Sequence, residues 1–307
     1  MSARVTWLLP VRNAMPYLPA ALASVEAQTF RDAEILAWDN GSTDGSLDEL
    51  RKWIPARLPG KVVTGRALPL GACLAAMVAE GDGDLCARMD ADDVNEPDRL
   101  ARQVAFLDGA PDVAIVGCQI THLDKNGGCH GLLYSVPCAH DDIVLRLLTG
   151  NPLPHPTVVF RRAAVLAAGN YRDVGAGQDY DLWMRLAVRH RLANLGEPLL
   201  RYRIHGQSIT QSVSQENRVE AVADARFVAN APDLFGCPPA EARMMRERRH
   251  PRIVGMLWRI ARHLRRTQGG SAWRRLRSAP MIAAGRCYAR SGDRLSRLAL
   301  ALLERRG

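Results

Sequence analysis

The sequence has 307 residues, of which 47% are hydrophobic and 24% are charged, and its formal net charge is +9. This composition is ordinary for a soluble globular protein that consists of one large domain, or of a domain with an appendage. The longest apolar runs, 113–118 and 298–303, are far shorter than the roughly 18 residues of a membrane-spanning helix, so we expect no such helix.

The positive charge lies mostly at the C-terminal end. Residues 241–307 contain 18 arginines and four acidic residues, a net charge of +14, which leaves −5 on the first 240 residues. The seven cysteines are scattered, without a C-x-x-C pair or zinc-type spacing, and this pattern favours a cytosolic compartment. No signal-peptide cleavage pattern follows the first apolar run, which we therefore predict to be a strand.

Short apolar runs alternate with helical patterns along the first 90 residues. The predicted strands read VTWLLPV, EILAW, KVVTG and DLCARMD, and the helices between them read PYLPAALASVEAQ, DGSLDELRKWI and GACLAAMVAEG. This alternation predicts βαβ units and an α/β fold with a mostly parallel sheet. Because such sheets bind ligands at the carboxyl ends of their strands, we expect Asn40, Gly41 and residues 90–93 at that edge.

Three aspartates, Asp90, Asp92 and Asp93, lie within four positions after the fourth predicted strand. A helix is predicted to begin in NEPDRL, with Asn95 as its N-cap and Pro97 in its first turn. One capping residue is enough for a helix, so capping does not explain three aspartates. Two like charges about 4 Å apart repel by roughly 1 kcal/mol in water and roughly 4 kcal/mol at a dielectric constant of 20. The cluster therefore predicts a bound divalent cation.

From residue 241 the sequence becomes rich in arginine and amphipathic. In RIVGMLWRIARHLRR the apolar residues recur at helical spacing, and most arginines fall on the other face. DRLSRLALALLERR repeats this pattern near the C terminus, and FGCPPAE at 235–241 is the predicted linker. We therefore predict a main domain over residues 1–235 and an Arg-rich amphipathic helical extension over 236–307.

Six segments in order resemble the family 2 glycosyltransferases, inverting enzymes of the GT-A fold. They span about residues 4–212 and read VTWLLPVRNAMPYLPAALASVEAQTF, EILAWDNGSTDGS, ARMDADDVNEPDRLARQVAFL, HPTVVFRRAAVLAAGNYRD, GQDYDLWMRLA and LLRYRIHGQSIT. A single D-x-D motif is weak evidence, but six segments in the family's order are specific. The resemblance implies a Rossmann-like GT-A catalytic domain, with a nucleotide-sugar half over about 1–118 and an acceptor half over about 119–235.

The resemblance also implies a donor site. Asp92 and Asp93 are expected to hold Mg²⁺ or Mn²⁺, which acts as a Lewis acid on the diphosphate, and Asp90 is expected to support them or to contact the ribose. The other expected donor contacts are Pro10, Arg12, Asn13, Asp39, Asn40 and Arg203, with His205 as a further metal ligand. Many members of the family have aspartate at the position of Asn40. With asparagine there, a UDP donor is still favoured, and a dTDP donor remains an alternative. Without the other segments, DNGSTDG is a generic turn.

The expected general base lies in GQDYDL. The resemblance assigns this role to Asp179, which follows Gln178 where the family usually has glutamate. Asp181 is the rival, and the alternative is that both aspartates only decorate the first turn of a helix. His155 in PHPT is either an acceptor-site residue or a turn residue.

We therefore expect a cytoplasmic enzyme that transfers one sugar from a nucleotide-diphosphate sugar, with a UDP-sugar favoured, to a glycan or lipid-linked glycan. The Q-x-x-R-W signature of polymerising synthases is absent after residue 200. DADDV also fits the phosphatase motif of haloacid dehalogenases, with Asp90 as the nucleophile, but that motif normally follows the first strand and the only downstream lysine is Lys125.

The basic segment 241–307 has three interpretations. It binds the anionic inner face of a membrane, it packs its apolar stripe on the catalytic domain, or it binds nucleic acid as part of a non-catalytic protein. No recognised nucleic-acid-binding motif supports the last interpretation. The first two are compatible with each other.

Overall fold

The computed structural model describes residues 3–65, 67–206, 219–246 and 253–268. Its strands are β1 Val5–Val11, β2 Ala33–Asp39, β3 Gly60–Val63, β4 Leu85–Arg88, β5 Val94–Asn95, β6 Val113–Leu123, β7 Cys129–Tyr134, β8 Val159–Arg161 and β9 Arg191–Arg203. Its helices are α1 Leu18–Glu26, α2 Ser46–Trp53, α3 Leu70–Glu80, α4 Arg99–Gly109, α5 His140–Leu147, α6 Arg162–Ala167, α7 Gln178–Ala187, α8 Val219–Phe235, α9 Pro239–Arg246 and α10 Ile253–Thr267.

The strands form a single mixed sheet in the order β3-β2-β1-β4-β8-β6-β9-β5, and β7 pairs with β6. The strands β1 to β4 on one side are parallel, as are β6 and β9 on the other. Strand β8 is antiparallel to both β4 and β6, so β6 and β9 run in the same direction as β4. The carboxyl ends of β1, β2, β4, β6 and β9 therefore lie at one edge, where α/β sheets bind ligands. The predicted α/β architecture is confirmed.

The apolar strands are buried on both faces, as their continuous hydrophobic runs predict. Along β1, Trp7 and Leu9 join a core cluster with residues of α1, α2 and α4, while Leu8 joins a second cluster with residues of α3 and α7. The alternation follows from the two-residue period of a strand, which sends successive side chains to opposite faces. The sheet edge is thus held on both sides by packed helices.

The helix after the acidic cluster begins later than predicted. Asn95 lies in β5, which pairs with β9, and α4 begins at Arg99. The amide of Asn95 donates to Ser24 Oγ at 3.0 Å and accepts a hydrogen bond from Arg99. The prediction of Asn95 as the N-cap is therefore wrong, because pairing with a distant strand prevails over the local capping preference.

The described part of the Arg-rich extension packs on the rest of the protein. Met256, Ile260, Ala261 and Leu264 of α10 are buried, and the last three belong to the same core cluster as residues of α7 and α8. Arg262 on the opposite face is exposed. The predicted helix in DRLSRLALALLERR lies outside the described residues. Among the helices that the structure describes, none has the length and apolarity needed to cross a membrane.

We expect Ile260→Ala to lower the free energy of unfolding by about 2 to 4 kcal/mol, because it leaves a cavity under α10. Arg262→Ala is the matched control on the exposed face of the same helix and should change stability by less than about 0.5 kcal/mol. Urea unfolding followed by circular dichroism measures both. Equal effects of the two substitutions would contradict the packing of α10 on the domain.

Candidate functional site

The carboxyl edge of the sheet brings the acidic cluster next to the end of β9. The main-chain N–H of Arg203 donates to Asp93 Oδ1 at 2.8 Å, and His205 Nε2 lies 2.8 Å from Asp92 Oδ2. Residues more than a hundred positions apart thus form one site. The pairing of β5 with β9 brings these two segments together, because β5 begins just after Asp93 and β9 ends at Arg203.

The three aspartates form a compact group of carboxylates. Asp90, Asp92 and Asp93 offer oxygen atoms that all lie within 4.8 Å of one another. Asp93 is 1% exposed, and among the described residues its Oδ2 has no hydrogen-bond partner. Burial and the charges of Asp90 and Asp92 raise the pKa of Asp93 well above its usual range, and burial and the charge of Asp90 raise the pKa of Asp92. Oxygen ligands of this kind fit Mg²⁺ or Mn²⁺.

Asp90 differs from its two neighbours because it pairs with a buried arginine. Arg88 Nη1 lies 2.6 Å from Asp90 Oδ2, and the Arg88 side chain is 3% exposed. The charge of Asp90 is therefore partly neutralised by the protein itself. The buried Oδ2 of Asp93, in contrast, has no hydrogen-bond partner within the described ranges.

Arg203 is held by the main chain around the carboxylates. Its Nε donates to the carbonyl oxygen of Asp92 at 2.7 Å and its Nη1 to that of Asp124 at 3.0 Å. Its guanidinium also lies 4.6 Å from the centre of the Tyr17 ring, within cation–π range. Arg203 thus supports the acidic segment directly, and its expected contact with a phosphate stays a prediction.

The loops after β1 and β2 bond to each other. Asn13 Oδ1 accepts from the N–H of Thr43 at 2.8 Å, and Asp39 accepts from the N–H of Ser42 at 3.3 Å. Asn40 Oδ1 accepts from the N–H of Leu68 at 2.6 Å, and Asn40 Nδ2 donates to the carbonyl oxygen of Leu68 at 2.7 Å. The amide of Asn40 therefore holds the segment before α3 in place.

The remaining expected donor contacts lie at the end of β1. Pro10 belongs to β1 and is half-buried, and Arg12 follows the strand with an exposed side chain. The nucleotide contacts expected of both residues, and of Asn13, Asp39 and Asn40, stay predictions. Their shared position at the carboxyl edge is the one in which an α/β sheet receives a nucleotide.

Asp179 occupies the first turn of α7 and is half-buried. Asn151 Nδ2 donates to Asp179 Oδ2 at 2.6 Å. Burial raises the pKa of Asp179, while the N–H of Tyr180, the charge of Arg88 and the amide of Asn151 act in the opposite direction. A carboxylate with a raised pKa and a fixed orientation is suited to accept a proton.

Asp181 is tied to structural partners instead. It is buried, accepts from Arg185 Nε at 2.9 Å and from Asn230 Nδ2 at 2.9 Å, and so joins α7 to α8. A buried carboxylate held by an arginine and a buried amide is poorly placed to receive a proton from a ligand. The geometry therefore favours Asp179 over Asp181 as the base.

His155 lies in an aromatic cluster behind α7. Its Nε2 is 3.0 Å from the hydroxyl of Tyr171, and its ring packs edge-on against Trp183. Burial and the charge of Arg88 lower the pKa of His155 well below its usual range, so its imidazole is neutral at pH 7. The role of His155 in acceptor binding stays a prediction.

Two buried arginines without a role predicted from the sequence, Arg88 and Arg99, lie beneath the carboxylates. Arg99 Nη2 donates to the carbonyl of Arg88 at 2.8 Å, and its Nε donates to Gln103 Oε1 at 3.1 Å. Burial lowers the pKa of Arg99 to about 10. The only available signal was an arginine within the apolar strand LCAR, since a charge in a central strand needs a buried partner.

Comparison of the sequence with known proteins identifies similar transferases. The sequence model of one family, Glycosyl transferase family 2, matches residues 6–166. The amylovoran biosynthesis glycosyltransferase AmsE of Erwinia amylovora is 31% identical over 188 residues, covering 61% of this chain and 70% of that protein. An Escherichia coli UDP-Gal:alpha-D-GlcNAc-diphosphoundecaprenol beta-1,3-galactosyltransferase is 24% identical over 179 residues, covering 57% of this chain and 64% of that protein.

Two solved structures have the same fold. The crystal structure of S. aureus TarS 1-349 in complex with UDP-GlcNAc aligns with a TM-score of 0.60 and 16% identity, covering 93% of this chain and 83% of that one. The match covers 49% of the longer TarS chain. The mannosyltransferase PcManGT from Pyrobaculum calidifontis, in complex with GDP-Man and Mn²⁺, aligns with a TM-score of 0.54 and 16% identity, covering 98% and 84%.

Proposed function

Because this chain belongs to glycosyl transferase family 2 and has a GT-A-type fold, we propose that it is an inverting transferase of single sugars. The donor is a nucleotide-diphosphate sugar, with a UDP-sugar favoured, and the acceptor is a glycan or a lipid-linked glycan. The observation that carries this proposal is the buried Oδ2 of Asp93, which has no hydrogen-bond partner among the described residues and belongs to a group of three carboxylates at the carboxyl edge of the sheet.

Asp92 and Asp93 would hold Mg²⁺ or Mn²⁺, and His205 would be a further ligand from the segment that follows β9. Bound there, the ion neutralises the charge that develops on the diphosphate leaving group. Asp90 remains paired with Arg88 and contacts the donor ribose or supports the other two carboxylates. Arg203 holds this segment through the carbonyl oxygen of Asp92.

Asp179 is the general base of the proposed reaction. The acceptor oxygen forms a bond to the anomeric carbon while the bond from that carbon to the diphosphate oxygen breaks, and the proton of the acceptor hydroxyl moves to the Asp179 carboxylate. Attack on the face opposite the leaving group inverts the configuration. Asn151 orients the base through its 2.6 Å hydrogen bond.

The nucleotide is proposed to lie across the loops that follow β1 and β2, against Pro10, Arg12, Asn13, Asp39 and Asn40. A UDP donor is supported by the UDP-Gal-dependent relative and by the fold neighbour in complex with UDP-GlcNAc. The neighbour with GDP-Man shows that a related fold also receives GDP.

A lipid-linked acceptor is proposed from the relative that acts on a diphosphoundecaprenol substrate, and a role in polysaccharide synthesis from AmsE. We place the protein in the cytoplasm, with the basic segment 241–307 against an anionic membrane. The exposed side chain of Arg262 supports this placement, because α10 buries its apolar stripe and leaves its basic face outside. The phosphatase and nucleic-acid-binding alternatives are not favoured, since the family is one of sugar transfer.

A thermal-shift panel of UDP, GDP and dTDP, with and without Mn²⁺, tests the proposal. We expect UDP and Mn²⁺ together to raise the melting temperature more than the sum of their separate effects, because the ion would neutralise the charge of the diphosphate. For scale, a single ligand at about 100 times its Kd adds about 2.7 kcal/mol of stability. The UDP-sugars are then tested for hydrolysis with Mn²⁺. Indifference of the protein to every nucleotide in the presence of Mn²⁺ would refute the donor site.

A further inference from the structure

Tyr17 is an aromatic residue beside the acidic cluster that the proposed reaction does not use. It lies in the loop after β1 and directly precedes α1. Its N–H donates to the carbonyl oxygen of Ala14 at 2.9 Å, and its own carbonyl oxygen accepts from the N–H of Ala20 at 3.1 Å. The main chain therefore fixes the point from which the ring of Tyr17 extends.

The helix that begins after Tyr17 is anchored in the core. Leu18 and Leu22 of α1 are buried, and they belong to the core cluster that contains Trp7 of β1. Tyr17 itself is half-buried. A ring on such a rigid support can hold a neighbouring side chain in one orientation.

Two side chains from the end of β9 contact this ring. The guanidinium carbon of Arg203 lies 4.6 Å from the centre of the Tyr17 ring, and the centre of the His205 ring lies 4.8 Å from it, with the two planes tilted by 46°. Both distances are within the usual ranges, which are up to about 6 Å for a cation–π contact and about 4.5 to 7 Å for a pair of rings. The ring thus connects the loop after β1 with the end of β9.

The sheet fixes Arg203 more directly than it fixes His205. Arg203 is the last residue of β9, and its guanidinium donates to the carbonyl oxygens of Asp92 and Asp124 at 2.7 and 3.0 Å. The N–H of Ile204 still donates to the main chain of β6, and His205 follows it. The orientation of the imidazole therefore depends on the side chains around it.

Two described side chains meet the imidazole, namely those of Tyr17 and Asp92. His205 Nε2 lies 2.8 Å from Asp92 Oδ2, and the side chain of His205 is only 12% exposed. Neighbouring ligands of an octahedral ion, each about 2.1 Å from it, lie about 3 Å apart. Imidazole and carboxylate thus already have the spacing of two ligands of one ion, with the ring of Tyr17 packed against the imidazole.

We propose that Tyr17 is a positioning residue for the metal site: its ring keeps the imidazole of His205 beside Asp92. The inference rests on the proposed role of His205 as a metal ligand. A ligand that is held in its binding orientation loses less conformational entropy when the ion binds. Tyr17 therefore raises the affinity for Mg²⁺ or Mn²⁺ through His205, without being a ligand itself.

The test is a titration of the protein with Mn²⁺ alone, followed by electron paramagnetic resonance. We expect Tyr17→Leu, which removes the ring, to lower the affinity for Mn²⁺ about 10-fold, as is usual when a group that orients a metal ligand is lost. Tyr17→Phe keeps the ring and should bind Mn²⁺ like the wild type. Phe30→Leu is the matched control, because it removes another partly buried ring beyond the opposite end of α1 and should leave the affinity unchanged.

A double-mutant cycle shows whether Tyr17 acts through His205. In the His205→Ala background, Tyr17→Leu should cause no further loss of Mn²⁺ affinity, because the side chain that Tyr17 orients is absent. An equal loss in both backgrounds would overturn the inference. A lower melting temperature of Tyr17→Leu with unchanged Mn²⁺ affinity would also overturn it and leave Tyr17 a purely structural role.

The failure of His205 as a ligand gives a different result. Unchanged Mn²⁺ affinity in His205→Ala refutes the proposed ligand, and with it the role of Tyr17, whereas a loss in His205→Ala without one in Tyr17→Leu refutes the role of Tyr17 alone. If Tyr17→Leu does not fold, as judged by circular dichroism, nuclear Overhauser effects in the wild type with UDP and Mg²⁺ decide. Contact between the rings of Tyr17 and His205 in that complex supports the proposal, and its absence contradicts it.

Discussion

Asp179→Asn is expected to reduce sugar transfer, or hydrolysis of the donor, by about 100- to 10,000-fold, the usual contribution of a general base. The substitution keeps the size of the side chain, and its amide oxygen can still accept from Asn151 Nδ2. Asparagine cannot take the proton of the acceptor hydroxyl. We therefore expect kcat to fall, while the stabilisation by UDP and Mn²⁺ remains, because Asp179 does not belong to the carboxylate group that would hold the ion.

Asp181→Asn is the matched control, two residues along the same helix. Asp181 pairs with Arg185 and Asn230 in the interior, and breaking a buried ion pair costs about 3 to 5 kcal/mol. We expect this variant to lose thermal stability, while its rate per folded molecule stays near the wild-type rate. Steady-state kinetics with thermal unfolding distinguish the two outcomes. A full rate in Asp179→Asn, together with a rate loss in Asp181→Asn, would exchange the roles of the two aspartates.

Asp93→Asn is expected to abolish the stabilisation by Mn²⁺ and to lower the affinity for Mn²⁺ at least about 100-fold, since the charge of a ligand contributes several kcal/mol to holding the ion. The metal-free protein should be at least as stable as the wild type. The amide oxygen of the introduced asparagine can still accept from the N–H of Arg203, and the repulsion between Asp93 and its two acidic neighbours is removed.

The pH dependence of stability gives a second measurement of the same site. The raised pKa of Asp93 means that the folded, metal-free chain binds a proton more tightly than the unfolded chain does. Acidification from neutral pH through this raised pKa therefore stabilises the wild type, and Asp93→Asn should lose that contribution. Thermal melts across this pH range, without Mn²⁺, measure the difference.

Asp98→Asn is the control for a nearby acidic residue outside the site. Asp98 precedes α4 and pairs with Arg102 at the surface. Its substitution should change the affinity for Mn²⁺ very little. Titration calorimetry or electron paramagnetic resonance measures this affinity. Equal losses of Mn²⁺ affinity in Asp93→Asn and Asp98→Asn would show that general negative charge, and not the buried group of carboxylates, attracts the ion.

Much of the architecture could be predicted because its signals are local. The runs VTWLLPV and EILAW are continuous apolar segments, and they form buried parallel strands with helices between them. The three aspartates follow a strand in sequence, and a residue that follows a strand of a parallel sheet must lie at its carboxyl edge. The location of the acidic group was therefore predictable without knowledge of any contact.

Other features depend on residues that are distant in sequence. Asn95 resembles a helix cap, but it lies in a strand because β9 pairs with it. The amide of Asn40, an expected donor contact, bonds to the main chain of Leu68, which no local pattern indicated, and its contact with a nucleotide stays a prediction. A local preference such as helix capping contributes about 1 kcal/mol to stability, so strand pairing or a buried contact between distant segments can override it.

The sequence by itself determined the type of sheet, the edge that carries the site and the crowding of three negative charges, since all three follow from spacing along the chain. Only the tertiary structure decided that Asp181 is held by Arg185 and Asn230, whereas Asp179 accepts from Asn151. It also placed the guanidinium of Arg88 beside Asp90. The physical reason is that burial and neighbouring charge set the reactivity of a carboxylate, and both are defined only once distant segments have packed together.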